Sequence, residues 1–177
     1  MSDELEFSRP YALDKLGAGQ EHVEIEAGAK ERRALAERLG LRAIDRLTAR
    51  LTIAADPAAK LVSITGKLDA EVTQSCVVSL APVEQRVSET FEQSYTLVPV
   101  SEEDEEDGLD PDAPETLPEG GLDLGEEVAQ QLSLALDPYP RAADAALPDS
   151  ARDKQTSPFA VLAKLGTATG QDGEGQG

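Results

Sequence analysis

The sequence predicts an α+β fold: a curved antiparallel sheet or small open barrel, with a helix from the C-terminal half packed on it and a short terminal helix. Three observations predict it. Between residues 47 and 98 apolar side chains recur at every second position in successive runs separated by short turns, the pattern of strands in a meander. Around residues 29–39 and 124–136 the spacing lengthens to that of a helix with one apolar stripe. Nothing in the order of these runs calls for parallel strands joined by crossover helices.

Residues 7–13 and 22–27 are short strands with the loop Gly17-Ala18-Gly19 between them, and the second alternates apolar and polar as a half-buried strand does. Residues 29–39 are rich in Ala, Leu, Glu, Lys and Arg, strong helix formers, and Gly40 stands where a left-handed cap ends a helix. Leu47, Ala49, Leu51 and Ile53 then alternate with Arg46, Thr48, Arg50 and Thr52, and Asp56-Pro57-Ala58-Ala59 signals a turn. Val62, Ile64, Gly66 and Leu68 give the next strand. Residues 72–80 read as a third, with Cys76 and Val78 on the side of Val72, and Ala81-Pro82 breaks it. Residues 84–98 form a long fourth strand that a bulge would fit.

Residues 101–121 have almost no apolar content and read as an acidic, disordered insert. Asp123 opens a helix at Asp123-Leu124-Gly125-Glu126, with Leu124, Val128, Leu132 and Ala135 as its stripe, and Asp137-Pro138 ends it. A polar linker leads to Ser157-Pro158-Phe159, the start of a short helix, and residues 166–177 are a low-complexity tail. The expected organisation is one domain over residues 1–165 with that tail.

Of 177 residues, 35 are Asp or Glu and 16 Lys or Arg, a net charge of −19. The excess is local. Residues 1–98 hold 12 basic and 16 acidic side chains, whereas residues 102–127 hold 13 acids and no Lys or Arg. No apolar run approaches the ~18 residues of a membrane span, and the acidic N-terminus lacks the apolar core of a secretory signal. With a single Cys there is no internal disulfide, so a cytoplasmic setting is expected, without membrane partners.

Catalytic chemistry has little to draw on. The chain has one His and one Cys, too few for the usual zinc patterns, and Gly17-Ala18-Gly19 lacks the Lys of a phosphate loop. Neither catalytic residues, nor a metal, nor a cofactor are expected. The acids of the insert fit no EF-hand spacing. What stands out is a basic segment, in which Arg32, Arg33, Arg38, Arg42, Arg46 and Arg50 outnumber the nearby acids and could neutralise RNA phosphates. A solvated face, partly paired with the acidic insert, accounts for the same residues.

Two stretches carry a family resemblance. Asp123-Leu124-Gly125-Glu126-Glu127-Val128-Ala129-Gln130-Gln131-Leu132-Ser133-Leu134-Ala135-Leu136-Asp137-Pro138-Tyr139-Pro140-Arg141, followed by Ser157-Pro158-Phe159-Ala160-Val161-Leu162, resembles the YceD-like family of large ribosomal RNA subunit accumulation proteins. Gln74-Ser75-Cys76-Val77-Val78-Ser79-Leu80-Ala81-Pro82-Val83 is similar to the same family's central strand and turn. The resemblance implies a non-enzymatic role in accumulation or processing of the large-subunit (23S) rRNA precursor. Many relatives carry several Cys in this region, suggestive of a metal; this chain keeps only Cys76.

Two functions of different kinds remain. In one, the arginine segment touches the rRNA precursor or a pre-ribosomal particle. In the other, the acidic stretch escorts a basic ribosomal protein by mimicking nucleic-acid charge. After the helix, Pro138 and Pro140 enforce an extended segment in which Tyr139 either straps the chain to its own core or meets a partner, while Arg141 reaches outward.

Overall fold

A computed structural model describes residues 6–13, 19–98, 114–118 and 121–146. The chain divides into two compact units, Met1–Ala142 and Ala143–Gly177, and the elements below all belong to the first. The expected helix at residues 157–165 and the tail lie outside the described residues.

Strands β1 (Pro10–Tyr11), β2 (Gln20–Glu26), β3 (Ala43–Asp56), β4 (Leu61–Ser75), β5 (Pro82–Thr96), β6 (Glu115–Thr116) and β7 (Leu122–Asp123) accompany helices α1 (Ala29–Arg38) and α2 (Leu124–Ala135). β2 to β5 form an antiparallel meander in the order β2-β3-β4-β5, and β6 adds a parallel edge beside β5. The sheet stays open, with β2 and β6 as its edges, so the architecture is the mixed α+β arrangement expected, without closure into a barrel. β1 and β7 pair separately, Pro10 opposite Asp123.

Alternation decides which face is covered. Leu47, Leu51 and Ile53 of β3, Val62, Ile64, Leu68 and Val72 of β4, and Val87, Phe91 and Tyr95 of β5 are buried. The intervening positions are polar and largely open to water, as in an antiparallel sheet with one wet face. Helix α1 lies on β3 and brings Leu35 and Ala36 to the core; α2 lies on β4 and β5 and brings Leu124, Val128, Ala129 and Leu132. Gly66 is set by this packing. A Cβ there would stand 2.4 Å from the Phe91 ring and 2.7 Å from Leu51, so only glycine lets the ring cross the sheet.

Three expectations change. The separate third strand at residues 72–80 does not form. β4 runs on to Ser75, and residues 76–81 are a turn in which Cys76 N–H donates to the Ala81 carbonyl (2.8 Å) and Leu80 N–H to the Cys76 carbonyl (2.9 Å). A turn built on a thiol, with no Gly or Asn inside, carries no sequence signal of the usual kind. The bulge falls in β3, not in β5: Ile44 pairs with Val72 and Arg46 with Glu71, leaving Asp45 as the extra residue. It moves the inward phase from even (Ile44) to odd (Leu47) positions. The strand expected at residues 7–13 pairs only at Pro10 and Tyr11, while Phe7 enters the core at 1% exposure. Within residues 101–121, Glu115 and Thr116 pair with β5 and Leu117 N–H donates to the Thr96 carbonyl (3.1 Å).

Helix ends follow local chemistry. Gly40 adopts φ +65°, and N–H groups of Gly40 and Leu41 return to the carbonyls of Glu37 (3.2 Å) and Ala36 (2.8 Å), a complete Schellman motif. Asp123 caps α2 by accepting from Gly125 N–H (2.9 Å) and Glu126 N–H (3.1 Å). Glu126 does not complete a capping box; its carboxylate is held by Arg38 instead.

Candidate functional site

The six arginines singled out from the sequence do not form one patch. Arg38, in the last turn of α1, makes two parallel bonds of 2.7 Å to the Glu126 carboxylate and a third of 3.1 Å to Glu6. Those carboxylates raise its pKa, and Arg38 in turn holds Glu126 below the ordinary glutamate range. Arg38 is thus a structural clamp, spent on joining α1 to α2.

Arg32, Arg33 and Arg42 surround a groove of about 440 Å³ between α1 and the chain leading into β3. Its floor is apolar, made by the buried Ala36 and Ile44 with the half-buried Leu41, and the exposed Ala29 shares its rim with two carboxylates, Glu37 and Asp45. The apolar stripe of α1 explains the floor: the residues that seat the helix on β3 leave their neighbours one position along as the walls. Arg32 is partly pinned, its Nη1 donating to the Ala27 carbonyl at 2.6 Å, and Arg42 reaches the Leu80 carbonyl at 3.1 Å. Arg33 is exposed and has no hydrogen-bond or ion-pair partner among the described residues.

Arg46 and Arg50 lie elsewhere, on the wet face of β3, where with Lys67 they border a hollow of about 340 Å³ that Glu24, Glu26 and Asp69 also line. Arg50 is bonded to Glu24 at 2.7 Å across the β2–β3 pair, both side chains over 70% exposed. Three cations there meet three carboxylates, whereas the groove sets three cations against two. The groove is therefore the more favourable place for an anion.

Tyr139 and Arg141 sit on a strap over the turn at residues 76–81. Gln74 Nε2 donates to the Asp137 carbonyl (3.0 Å), Val77 N–H to the Pro140 carbonyl (2.9 Å), and Tyr139 N–H to Asp137 Oδ1 (2.8 Å). Pro140 is buried and Tyr139 is 72% exposed, so proline and backbone do the strapping while the ring faces water. The turn that the strap bonds carries two exposed residues that the sequence pattern places inside a strand: Val77, 48% exposed, and Leu80, 72% exposed with φ +59°. A left-handed leucine costs about 1–2 kcal/mol and here gains no burial in return. The only signal for it in the sequence is the break at Ala81-Pro82, which ends the strand but does not say where the turn begins.

Cys76 is fully buried beneath that turn. The Ser79 hydroxyl and the N–H groups of Ala142, Ser79 and Val78 all point to its sulfur, and together they outweigh burial and pull the thiol down to about 6. These are hydrogen-bond donors, not metal ligands. Among the described residues no three His, Cys, Asp or Glu side chains stand together as a metal site, so the donor set around Cys76 does not fit a bound metal.

The acidic stretch is also partly committed. Asp123 accepts from Arg9 N–H (2.8 Å) and Ser8 Oγ (2.5 Å) besides capping α2; burial opposes its charge, but the donors prevail and hold its carboxyl below the ordinary range. Glu126 belongs to Arg38. Glu127 is 4% exposed and accepts from Tyr95 Oη at 2.5 Å and from Gln131 Nε2 at 3.2 Å. Burial, reinforced by that glutamate, raises the Tyr95 pKa.

Fold and site together define a small α+β domain with an arginine-lined groove and an exposed strap. The family model described as large ribosomal RNA subunit accumulation protein YceD matches residues 64–166, from mid-β4 through α2, and the chain belongs to that family. The name ties the chain to accumulation of the large ribosomal subunit RNA. No curated protein and no solved structure matches it. Among the described residues no helix is long and apolar enough to cross a membrane.

Proposed function

We propose that the chain is a non-enzymatic, cytoplasmic factor in large-subunit biogenesis that supports accumulation or processing of the 23S rRNA precursor by touching it directly. The observation that carries this reading is the groove of Arg32, Arg33 and Arg42, where an apolar floor lies under cations that outnumber the adjacent carboxylates. Phosphate oxygens would take the open donors of Arg33 and Arg42, and each displaced counterion would make binding weaker as salt rises. Against a net charge of −19 this contact works at short range only, so it calls for low salt and a particle that presents RNA closely.

The test is retention of precursor RNA by the tagged chain from lysate, with and without nuclease. Arg32→Glu with Arg33→Glu should lower retention about tenfold or more at ~50 mM salt. Arg46→Glu with Arg50→Glu should have the smaller effect. Equal retention by the groove variant and the wild type would sink the direct contact. Ribosomal proteins held after nuclease, and lost on neutralising residues 102–107, would instead favour an acidic escort.

A further inference from the structure

We propose that Tyr139, with Leu80 and Arg141, is a stacking platform for an unpaired base, so that the RNA this chain takes is single-stranded where it crosses the strap. The inference rests on the RNA reading above and adds which form of RNA is bound and where.

Tyr139 is 72% exposed, yet its backbone is fixed. Pro138 and Pro140 flank it, Asp137 Oδ1 holds its N–H at 2.8 Å, and the Pro140 carbonyl is bonded to Val77 at 2.9 Å. An exposed ring on a fixed backbone has only its own side-chain rotation left to restrict when it receives a flat partner. Leu80 tells the same story from the neighbouring turn: φ +59° and 72% exposure put a large aliphatic group outward in a backbone state that leucine disfavours. The turn's own bonds, Leu80 N–H to the Cys76 carbonyl and Arg42 to the Leu80 carbonyl, hold that backbone state and keep the leucine side chain outward.

Charge selects the ligand. Arg42 borders the groove and also bonds the Leu80 carbonyl at 3.1 Å, so groove and turn are continuous through one residue. Arg141, exposed, stands two residues after Tyr139, across the buried Pro140. A chain that lays phosphates along Arg33 and Arg42 and then reaches an aromatic ring two residues from a third arginine has the layout of a single-strand site. A paired base keeps its faces in the duplex and cannot use the ring.

The probe is a labelled unstructured 12-nucleotide RNA and the same RNA annealed to its complement, titrated by fluorescence anisotropy with the full chain at low salt. The wild type should prefer the single strand about tenfold. Tyr139→Ala and Leu80→Gly should each lose about tenfold, while Tyr139→Phe retains binding. Glycine accepts the left-handed backbone that strains leucine, so Leu80→Gly should keep the wild-type denaturation midpoint, and its loss of binding would then come from the missing side chain. With no Trp in the chain, tyrosine emission should fall on single-strand binding and not in Tyr139→Ala. If Tyr139→Ala and Leu80→Gly bind like the wild type while Arg32→Glu with Arg33→Glu does not, the platform is wrong and the groove stands. If the wild type binds neither RNA, direct contact and platform fail together. If the two platform variants abolish self-association in sedimentation and leave RNA affinity unchanged, the surface belongs to a protein partner and the platform is overturned.

Discussion

Arg38 and Glu126 are 88 positions apart and face each other through two bonds of 2.7 Å, closing the last turn of α1 onto the first turn of α2. The pair is only partly exposed, at 35% and 19% for the side chains, which places it above an ordinary surface ion pair. Arg38→Ala should cost about 1–2 kcal/mol in denaturant unfolding. Arg38→Glu with Glu126→Arg should recover part of the loss. Without recovery the arginine stem, rather than its charge, stabilises the contact.

Acid should weaken the same corner. Glu126, Glu31 and Asp123 all titrate lower in the folded chain than their ordinary 4.5, 4.5 and 3.8. Their contribution is complete above those values and is lost as pH falls through the lower, folded ones. The denaturation midpoint should therefore drop steeply below about pH 4.5, and less steeply in Glu126→Gln. Parallel acid profiles would mean the pairs contribute nothing.

Gly125 should resist replacement. Alanine in a helix interior ordinarily gains about 1 kcal/mol over glycine. Here a Cβ would stand 2.3 Å from the Phe7 carbonyl oxygen and 3.1 Å from Arg9 N, backbone atoms that cannot swing aside. Gly125→Ala should thus reverse the usual sign, lowering stability and exposing residues 6–11 to limited proteolysis. A stabilised variant would show that the N-terminal segment does not cross α2 there.

Gly66→Ala meets the Phe91 ring at 2.4 Å in a filled core, and overpacking of this kind costs about 1–3 kcal/mol. Adding Phe91→Leu should return part of it, because the smaller side chain vacates the position. Additive losses in the double variant would refute the contact.

Cys76 reports on the strap. Its thiol is pulled from the ordinary 9.0 to about 6 by the Ser79 hydroxyl and the N–H groups of Ala142, Ser79 and Val78, so the folded chain favours the thiolate. That preference stabilises fully above pH 9 and fades as pH falls toward 6. Wild type should gain stability between those limits relative to Cys76→Ser, whose hydroxyl does not ionise there. Identical slopes would mean that the thiol stays protonated.

Much of the fold was legible because it is written in near neighbours. The two-residue period of β3 to β5, the cap at Asp123, the Schellman glycine at position 40 and the stop before Pro138 each depend on residues within one turn or strand. Family membership was legible for the same reason, through contiguous segments around Cys76 and α2. Composition also separated an acidic C-terminal part from a basic segment without reference to shape.

Tertiary structure decided which arginines were available. Arg38 and Arg33 look alike in the sequence of α1, but only one comes within reach of Glu126, because that depends on how α2 docks. The bulge at Asp45 fixed the phase that turns Arg46 to water, and it answers to the pairing of β3 with β4 rather than to the local pattern. The strap freed Tyr139 by burying Pro140, and the thiol-centred turn pushed Leu80 outward. Periods and caps are properties of consecutive residues; pairing, docking and exposure depend on distant residues brought together, which no local window contains.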